Sequence, residues 1–396
     1  MKNVAELELL PELKIISVKK VAKHQRIYFA RKQNRAEACP KCAELSTVGY
    51  DKRRVCLQDA PIRGIGVKLI VDKRRLWCKR CQKPFTEPIS GVLPGRRKTQ
   101  RFRRAVAWAA QNFSDLKRVK RAYHCSNDFI YKALYEHLHI KSRHNNNYPF
   151  PTVIGIDEHN FRKARSAGSY GPRQFVTMIT DHSNKKLYEV VLGKTKHELN
   201  AGLTHKEGRH RVKWVSLDMS DTYKSFVKGF FPNAKMVADK FHVLRLLHPS
   251  INKRRKDITG DKRSNPVRKL MLRKASRLEF FERSALHKWL EGNPELREVY
   301  LWKEKLHSFY NVRGYGRAKK AFIKMTDLMA KSELPEIKRL RKTLMRWRNE
   351  ILNYFHFRLT NARTEGFNNV AKVIKRRGYG FRNFDNYRLR LLNACS

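Results

Sequence analysis

The stretch from Val215 to His242 reads VSLDMSDTYKSFVKGFFPNAKMVADKFH. Its character alternates: the apolar run Trp214-Val215-Ser216-Leu217, an amphipathic segment from Tyr223 to Phe231, then Lys235-Met236-Val237-Ala238. Short apolar runs on either side of a helical segment predict strand, helix, strand. Each run ends in a carboxylate, Asp218 after the first and Asp239 after the second; Asp157 ends a third run, Val153-Ile154-Gly155-Ile156. In open α/β sheets, sites gather outside the carboxyl ends of parallel strands. Three strands that each deliver an Asp there predict a shared acidic pocket. One Asp alone would more simply start a loop or cap a helix. That role suits Asp221, whose charge is favoured at the N-terminus of the next helix. Three in a strongly basic chain instead suit Mg²⁺ or Mn²⁺ and metal-assisted displacement at phosphorus.

Charge sets the partner class. The 396 residues carry 88 Lys plus Arg against 35 Asp plus Glu, a formal net charge of +53. The basic residues run along the whole chain, which predicts a long polyanion gripped by several domains, most simply nucleic acid. A hydrophobic fraction of 41% fits a folded protein with room for two or three domains. No apolar stretch approaches the roughly 18 residues that span a bilayer, and no signal peptide opens the chain. The expectation is a cytoplasmic, nucleoid-associated protein with no membrane partner. In such a reducing compartment, cysteines suggest metal binding before disulfides.

Toward the N-terminus stand two C-x-x-C knuckles, Cys39-Pro-Lys-Cys42 and Cys78-Lys-Arg-Cys81. Together they can offer four thiolates to one tetrahedral Zn²⁺. The stretch between them exceeds the roughly 15–20 residues of the common ribbon, but it holds strand-like material, Arg53 to Leu57 and Val67 to Asp72, so a zinc ribbon with a hairpin is expected. Two unrelated reduced Cys pairs are the plainer alternative. Gly91 to Lys98 (GVLPGRRK) reads as a basic linker. Beyond it come a helix over Arg101 to Phe113, then two short helices capped by Ser114 and Ser126 around a turn at His124-Cys125. Such a pair is the pattern of a helix-turn-helix, though short helix pairs are also ordinary packing units. Arg96, Arg97, Lys98 and Arg101 are candidate DNA contacts. Lys141 to Asn147 is polar and reads as a linker.

From Pro151 the pattern turns to strands: Val153 to Ile156, Gln174 to Thr180 and Lys186 to Leu192. Three hairpin-joined strands followed by helix, strand, helix, strand is the order of a ribonuclease-H-like sheet. There the first strand is central, and the fourth and fifth run parallel to it. From Val243 to about Phe357 the signals are helical, including one long segment from Pro335 to Phe355, and this block reads as an insertion. Asn361 to Arg376 is a helix carrying Glu365, with Lys372, Lys375, Arg376 and Arg377 able to meet phosphates. A lone Glu on a helix is usually solvated surface; here it would complete an Asp-Asp-Glu set. The expected domains are therefore 1–90 (strands and zinc ribbon), 91–147 (helix-turn-helix), 148–248 and 358–396 (the two parts of an α/β catalytic domain) and 249–357 (an all-α insertion).

The chain resembles the ISL-three family of bacterial insertion-sequence transposases along nearly its whole length. The resemblance lies in CPKC, LQDAPIRGIGVKL at Leu57 to Leu69 and RRLWCKRCQKPFTE at Arg74 to Glu87. It continues in GIDEH at Gly155 to His159, LDMSDTY at Leu217 to Tyr223 and NAKMVADKFHV at Asn233 to Val243. It ends in NARTEGFNN at Asn361 to Asn369 and KRRGYGFRNF at Lys375 to Phe384. It implies a DDE transposase with Asp157, Asp218 and Glu365 as the catalytic set, holding two Mg²⁺ (or Mn²⁺), and one structural Zn²⁺ on the four cysteines. Asp239-Lys-Phe-His242 resembles the D-x-x-H element of related enzymes, so Asp239 and His242 would support the site. The implied reaction cuts double-stranded DNA at terminal inverted repeats and joins the 3′-hydroxyl ends to target DNA, with the enzyme a dimer on DNA. A non-catalytic regulator descended from a transposase and a structure-specific nuclease of the same fold are the alternatives.

Overall fold

The computed structural model describes residues 10, 12–112, 115–146, 148–162, 174–260 and 266–396. The chain divides into two compact units, Met1–Lys141 and Ser142–Ser396.

In the first unit, β1 (Leu13–Ala22) and β2 (Gln25–Lys32) form an antiparallel pair. A small ladder of β3 (Glu37–Ala38) and β4 (Leu45–Ser46) follows. Then β5 (Gly49–Ile62) and β6 (Ile65–Cys78) make a long hairpin, and β7 (Lys83–Thr86) pairs with the end of β6. The hairpin turns at Arg63-Gly64, both with positive φ (50° and 78°). That is the two-residue turn geometry whose twist matches the strands. Sheet order is β1-β2-β6-β5, with β2 and β6 parallel. Leu13, Tyr28, Leu57, Val67, Leu69 and Val71 fill one face as a core.

The basic segment expected as a linker is docked: Gln58 N donates to Arg97 O (2.9 Å) and Thr99 N to Gln58 O (3.1 Å). Three helices follow, α1 (Gln100–Asn112), α2 (Leu116–Tyr123) and α3 (Asn127–Asn146). Ser114 lies outside the described residues; the cap of α2 is Asp115, which accepts from Arg118 N. Ser126 Oγ accepts from Phe129 N at 3.3 Å, as its capping role requires. The expected linker at Lys141 onward is instead the end of α3, which runs through Asn146. Polar residues without Gly or Pro do not stop a helix already formed.

In the second unit, β8 (Val153–Arg162), β9 (Gln174–Asp181) and β10 (Lys186–Leu192) are antiparallel neighbours. Then come α4 (Lys196–Leu203), β11 (Trp214–Leu217), α5 (Asp221–Phe230) and β12 (Lys235–Ala238). The sheet order is β10-β9-β8-β11-β12, with β11 parallel to both β8 and β12. Among the described residues the short α6 (Lys240–Leu244) leads into seven α-helices: α7 (His248–Thr259), α8 (Pro266–Leu272), α9 (Phe280–Glu291), α10 (Pro294–Phe309), α11 (Tyr315–Ala330), α12 (Pro335–Arg346) and α13 (Arg348–Phe357). The expected single helix from Pro335 is two. It breaks at Trp347, whose buried residue caps one helix and starts the next. The chain then returns to the sheet with α14 (Ala362–Arg377) and α15 (Phe384–Ala394).

Period-two alternation decides what β8 presents to each side. Ile154 and Ile156 join the core with Tyr223, Phe226 and Val227 of α5. The odd positions meet the C-terminal helices. Gly155 faces Asn361 and Thr364, Asp157 bonds Asn368, His159 bonds Tyr387, and Phe161 packs on Tyr387 and Phe384. No helix among the described residues is long and apolar enough to cross a membrane.

Candidate active site and a four-cysteine centre

Register builds the acidic row. Leu217 pairs with Ile156 on one side and Ala238 on the other, so the next residues, Asp157, Asp218 and Asp239, come level on three adjacent strands. Parallel pairing of β8 ends at Ile156, but the strand itself does not. Its polar continuation to Arg162 stays paired with β9, so Asp157 lies inside β8 rather than at its end.

Two of the three are buried, and Asp218 is half-buried. Asp157 is 9% exposed and Asp239 3%. Burial pushes the Asp157 carboxyl up to about 6; the Glu158 N–H and His242 hold it down, while Asp218 and Asp239 push it further up. Burial also raises Asp218, with Glu158 and Asp239 adding and His242 opposing. Asp218 Oδ1 is buried with no hydrogen-bond partner. Asp239 accepts from Asn361 N (3.0 Å), and its Oδ2 lies 3.1 Å from His242 Nδ1. That bond raises the imidazole's pKa against the pull of burial, with the Asp218, Asp239 and Asp157 charges helping. Buried carboxylates that repel one another, one of them with an orphaned oxygen, fit a bound cation.

A tighter cluster lies in the first unit. Cys39 follows β3, Cys78 ends β6, and Cys42 and Cys81 stand on the turns between. Ala43 and Gln82, each one residue past its knuckle, share the left-handed conformation (φ 61° and 51°). Cys39 and Cys81 Sγ are 3.9 Å apart, and Cys42 and Cys78 Sγ 3.5 Å. Four thiolates about 2.3 Å from a tetrahedral zinc would stand about 3.8 Å apart. Among the described residues this is the one group of three or more Cys, His, Asp or Glu whose ligand atoms all lie within 4.8 Å of one another. The backbone N–H of Lys41 draws Cys39 down to about 7, while its hydrogen-bonded neighbour Cys42 and burial push Cys81 up to about 12. Four such sulfurs ionise together only around a cation.

Both sites can now be set beside known proteins. The family model of ISL-three DDE transposases, described as "Transposase", matches residues 154–391, from the start of β8 to the last turns of α15. The chain belongs to this family. It is also 23% identical over 367 residues to the transposase for insertion sequence element IS1001 of Bordetella parapertussis, covering 90% of this chain and 88% of that protein. A transposase processes DNA, and a net charge of +53 suits that polyanion.

In this transposase the remaining candidates fall unevenly. Glu365 is exposed on the first turns of α14, and the structure does not bring it into the buried row. Asp221 starts α5 and is ion-paired with Arg346. Arg96 and Arg97 are exposed. Lys98 is half-buried, 3.5 Å from the Phe129 ring centroid, and Arg101 is committed to buried Asp59, its Nε 2.7 Å from Oδ1. Lys372, Arg376 and Arg377 are exposed on α14, while Lys375 is bonded to Asn160 O.

Sequence reasoning missed the polar residues that hold the acidic row. Asn361 donates Nδ2 to Ile156 O (3.0 Å) and accepts from Ser216 Oγ (2.5 Å); Asn368 donates Nδ2 to Asp157 Oδ2 (2.7 Å). Glu158 accepts from Tyr223 OH (3.1 Å) and is ion-paired with Lys194 (3.3 Å). Burial and Lys375 draw His159 down to about 4, so it is neutral in the fold. One signal was there to read: Asn361 and Asn368 stand seven residues apart, two helical turns, on one face.

Proposed function

We propose that this transposase is a metal-dependent DNA cleaving and joining enzyme with Asp157, Asp218 and Glu365 as its catalytic carboxylates. The observation that carries the reading is the level row of aspartates, buried Asp157 in β8 and buried Asp239 just past β12 with half-buried Asp218 just past β11 between them, and Asp218 Oδ1 left without a partner. The sheet order, with antiparallel β10-β9-β8 joined to parallel β11 and β12, supports a ribonuclease-H-like catalytic domain, interrupted between α6 and α14 by the helical block as an insertion.

Asp157 and Asp218 hold the divalent ions, and Glu365 swings in from α14 when DNA is bound. Ions held there supply Lewis-acid activation of the attacking oxygen and charge stabilisation on the leaving one. Asp239 and His242 stay behind this set: Asp239 anchors the N–H of Asn361 at the head of α14, and His242 orients Asp239. The zinc-bearing sheet and the α2–α3 pair, as a helix-turn-helix, read terminal inverted repeats, with Arg96 and Arg97 on phosphates. The basic end of α14 clamps flanking duplex, and a dimer brings two ends together.

The test is incubation of the protein with the DNA flanking its gene in Mg²⁺. Nicking at the inverted repeats and joining of the 3′ ends to a target plasmid are expected. Binding without cleavage would favour a regulator; cleavage of branched DNA without joining would favour a nuclease.

A further inference from the structure

Asn368 stands 8% exposed on α14, its Nδ2 2.7 Å from Asp157 Oδ2. A carboxylate only accepts, so the amide must turn its NH₂ toward Asp157 and its oxygen away. That oxygen, Asn368 Oδ1, is buried without a hydrogen-bond partner, and so is His159 Nδ1. The two needs are complementary if the imidazole carries its proton on Nδ1. The other ring nitrogen lies 2.5 Å from Tyr387 OH. A tyrosine hydroxyl donating to Nε2 selects that tautomer. Asp157, His159 and Phe161 share one face of β8, and Tyr387 packs on Phe161 from α15 (ring centroids 5.2 Å apart).

We infer that Asn368 is a positioning residue for Asp157, and that His159 and Tyr387 hold its amide in the orientation this requires. The inference rests on the reading of Asp157 and Asp218 as ligands of a divalent ion. Asp157 then has one fixed donor on each oxygen, Asn368 on Oδ2 and the Glu158 N–H on Oδ1 (2.8 Å). Its remaining lone pairs point in set directions. Asn361 fixes the start of the same helix through Ile156 O and Asp239. Glu365 lies between the two asparagines, four residues after one and three before the other. The relay therefore sets the helix that carries Glu365 against the aspartate row, and Tyr387 ties the docking of the last helix to the geometry of Asp157.

The probe is Mn²⁺ alone, titrated into the full-length protein and followed by electron paramagnetic resonance, so no DNA sequence need be known. Binding at the row is the part lost in Asp218→Asn. Asn368→Leu, equal in size but without a donor, is expected to weaken that binding about 10–100-fold, the usual cost of removing a partner that orients a ligand. Asn368→Gln, which keeps the amide, should recover part of it. Metal-free thermal unfolding is read beside each titration, because a purely structural role would lower the melting temperature and leave Mn²⁺ affinity of the folded fraction unchanged. If Asn368→Leu does not fold, Tyr387→Phe takes its place, with a weaker loss of several-fold expected. Wild-type Mn²⁺ affinity in the folded variant overturns the inference while the metal site stands. Equal Mn²⁺ binding by wild type and Asp218→Asn overturns the metal-site reading, and this inference with it.

Discussion

Gly155 makes room for Asn361: a Cβ at position 155 would stand 2.7 Å from Asn361 Oδ1, with His182 Nε2 at 2.6 Å and Thr364 Oγ1 at 2.8 Å. The glycine two residues before Asp157 is thus a packing requirement of α14. Gly155→Ala must push on two atoms of one hydrogen-bonded set, since His182 and Asn361 both contact Ser216 Oγ, and on the buried Thr364 hydroxyl beside them. A loss of about 1–3 kcal/mol is expected, the usual cost of overpacking. Denaturant unfolding measures it; an unchanged midpoint would show that the set yields freely.

The three aspartates of the central stretch should separate by role. Asp218→Asn is expected to abolish cleavage and leave DNA binding intact, because its buried Oδ1 has no protein partner and is left for a metal ion. Asp239→Asn should keep measurable activity: its bonds go to Asn361 N and His242, and its strand lies one place beyond β11 from Asp157. Asp221→Asn should shift stability slightly and activity not at all, since its partner is the exposed Arg346. Full cleavage by Asp218→Asn in a Mg²⁺ assay is the result that would sink this assignment.

The apolar runs and the aspartates that follow them were legible because apolar period and charge are local signals, though β8 continues beyond Asp157. The α14 contact was not. Asn361 meets Ile156 and Asn368 meets Asp157 only after the whole helical block has intervened, and an Asn on a helix looks like any polar surface residue. The hairpin ran longer than its apolar centre because β5 and β6 carry their outward charges as cross-strand pairs, such as Arg54 with Asp72 and Arg75 with Asp51. The end of α3 was misplaced for a related reason. Composition marked it as a linker, and nothing in it breaks a helix.

Zinc should be structural. Protein purified without chelator is expected to contain one zinc per chain, held by Cys39, Cys42, Cys78 and Cys81. Cys78→Ser should release it and loosen the small cluster of Leu76 and Phe85 packed around the sulfurs. Elemental analysis checks the first point. Limited proteolysis checks the second, with cuts expected in residues 35–90 and the second unit left intact.

Acid should destabilise the helical block. His248 begins α7, where burial and the nearby Lys303, Arg245 and His307 draw its pKa from 6.5 to about 4. The unfolded chain therefore takes up a proton near pH 6.5 that the folded chain refuses until about pH 4. Stability is full above 6.5 and falls as pH drops through that window. The group is only about half buried, so the loss is on the order of 1–2 kcal/mol after discounting for solvent screening. His248→Gln should flatten the dependence of the unfolding midpoint between pH 4 and 6.5. An unchanged slope would mean that His248 titrates normally.

DNA affinity should collapse with salt. Each phosphate neutralised by Lys or Arg releases a condensed counterion, and about 6–10 such contacts cost roughly 10³–10⁵ in affinity between 50 and 200 mM salt. The exposed cations on α14 and on the segment before α1 are the contributors to test, because their side chains lie at the surface where a phosphate can reach them. Arg101 is bound to Asp59, and Lys375 to Asn160 O. Arg376→Ala and Arg377→Ala should each weaken binding to all duplexes alike and reduce the log–log salt slope by about 1. Arg101→Ala should instead lower stability, because it strands a buried carboxylate that is 1% exposed. Filter binding over a salt series separates these outcomes. A nearly flat dependence, or a slope unchanged by both α14 substitutions, would remove that helix from the DNA interface.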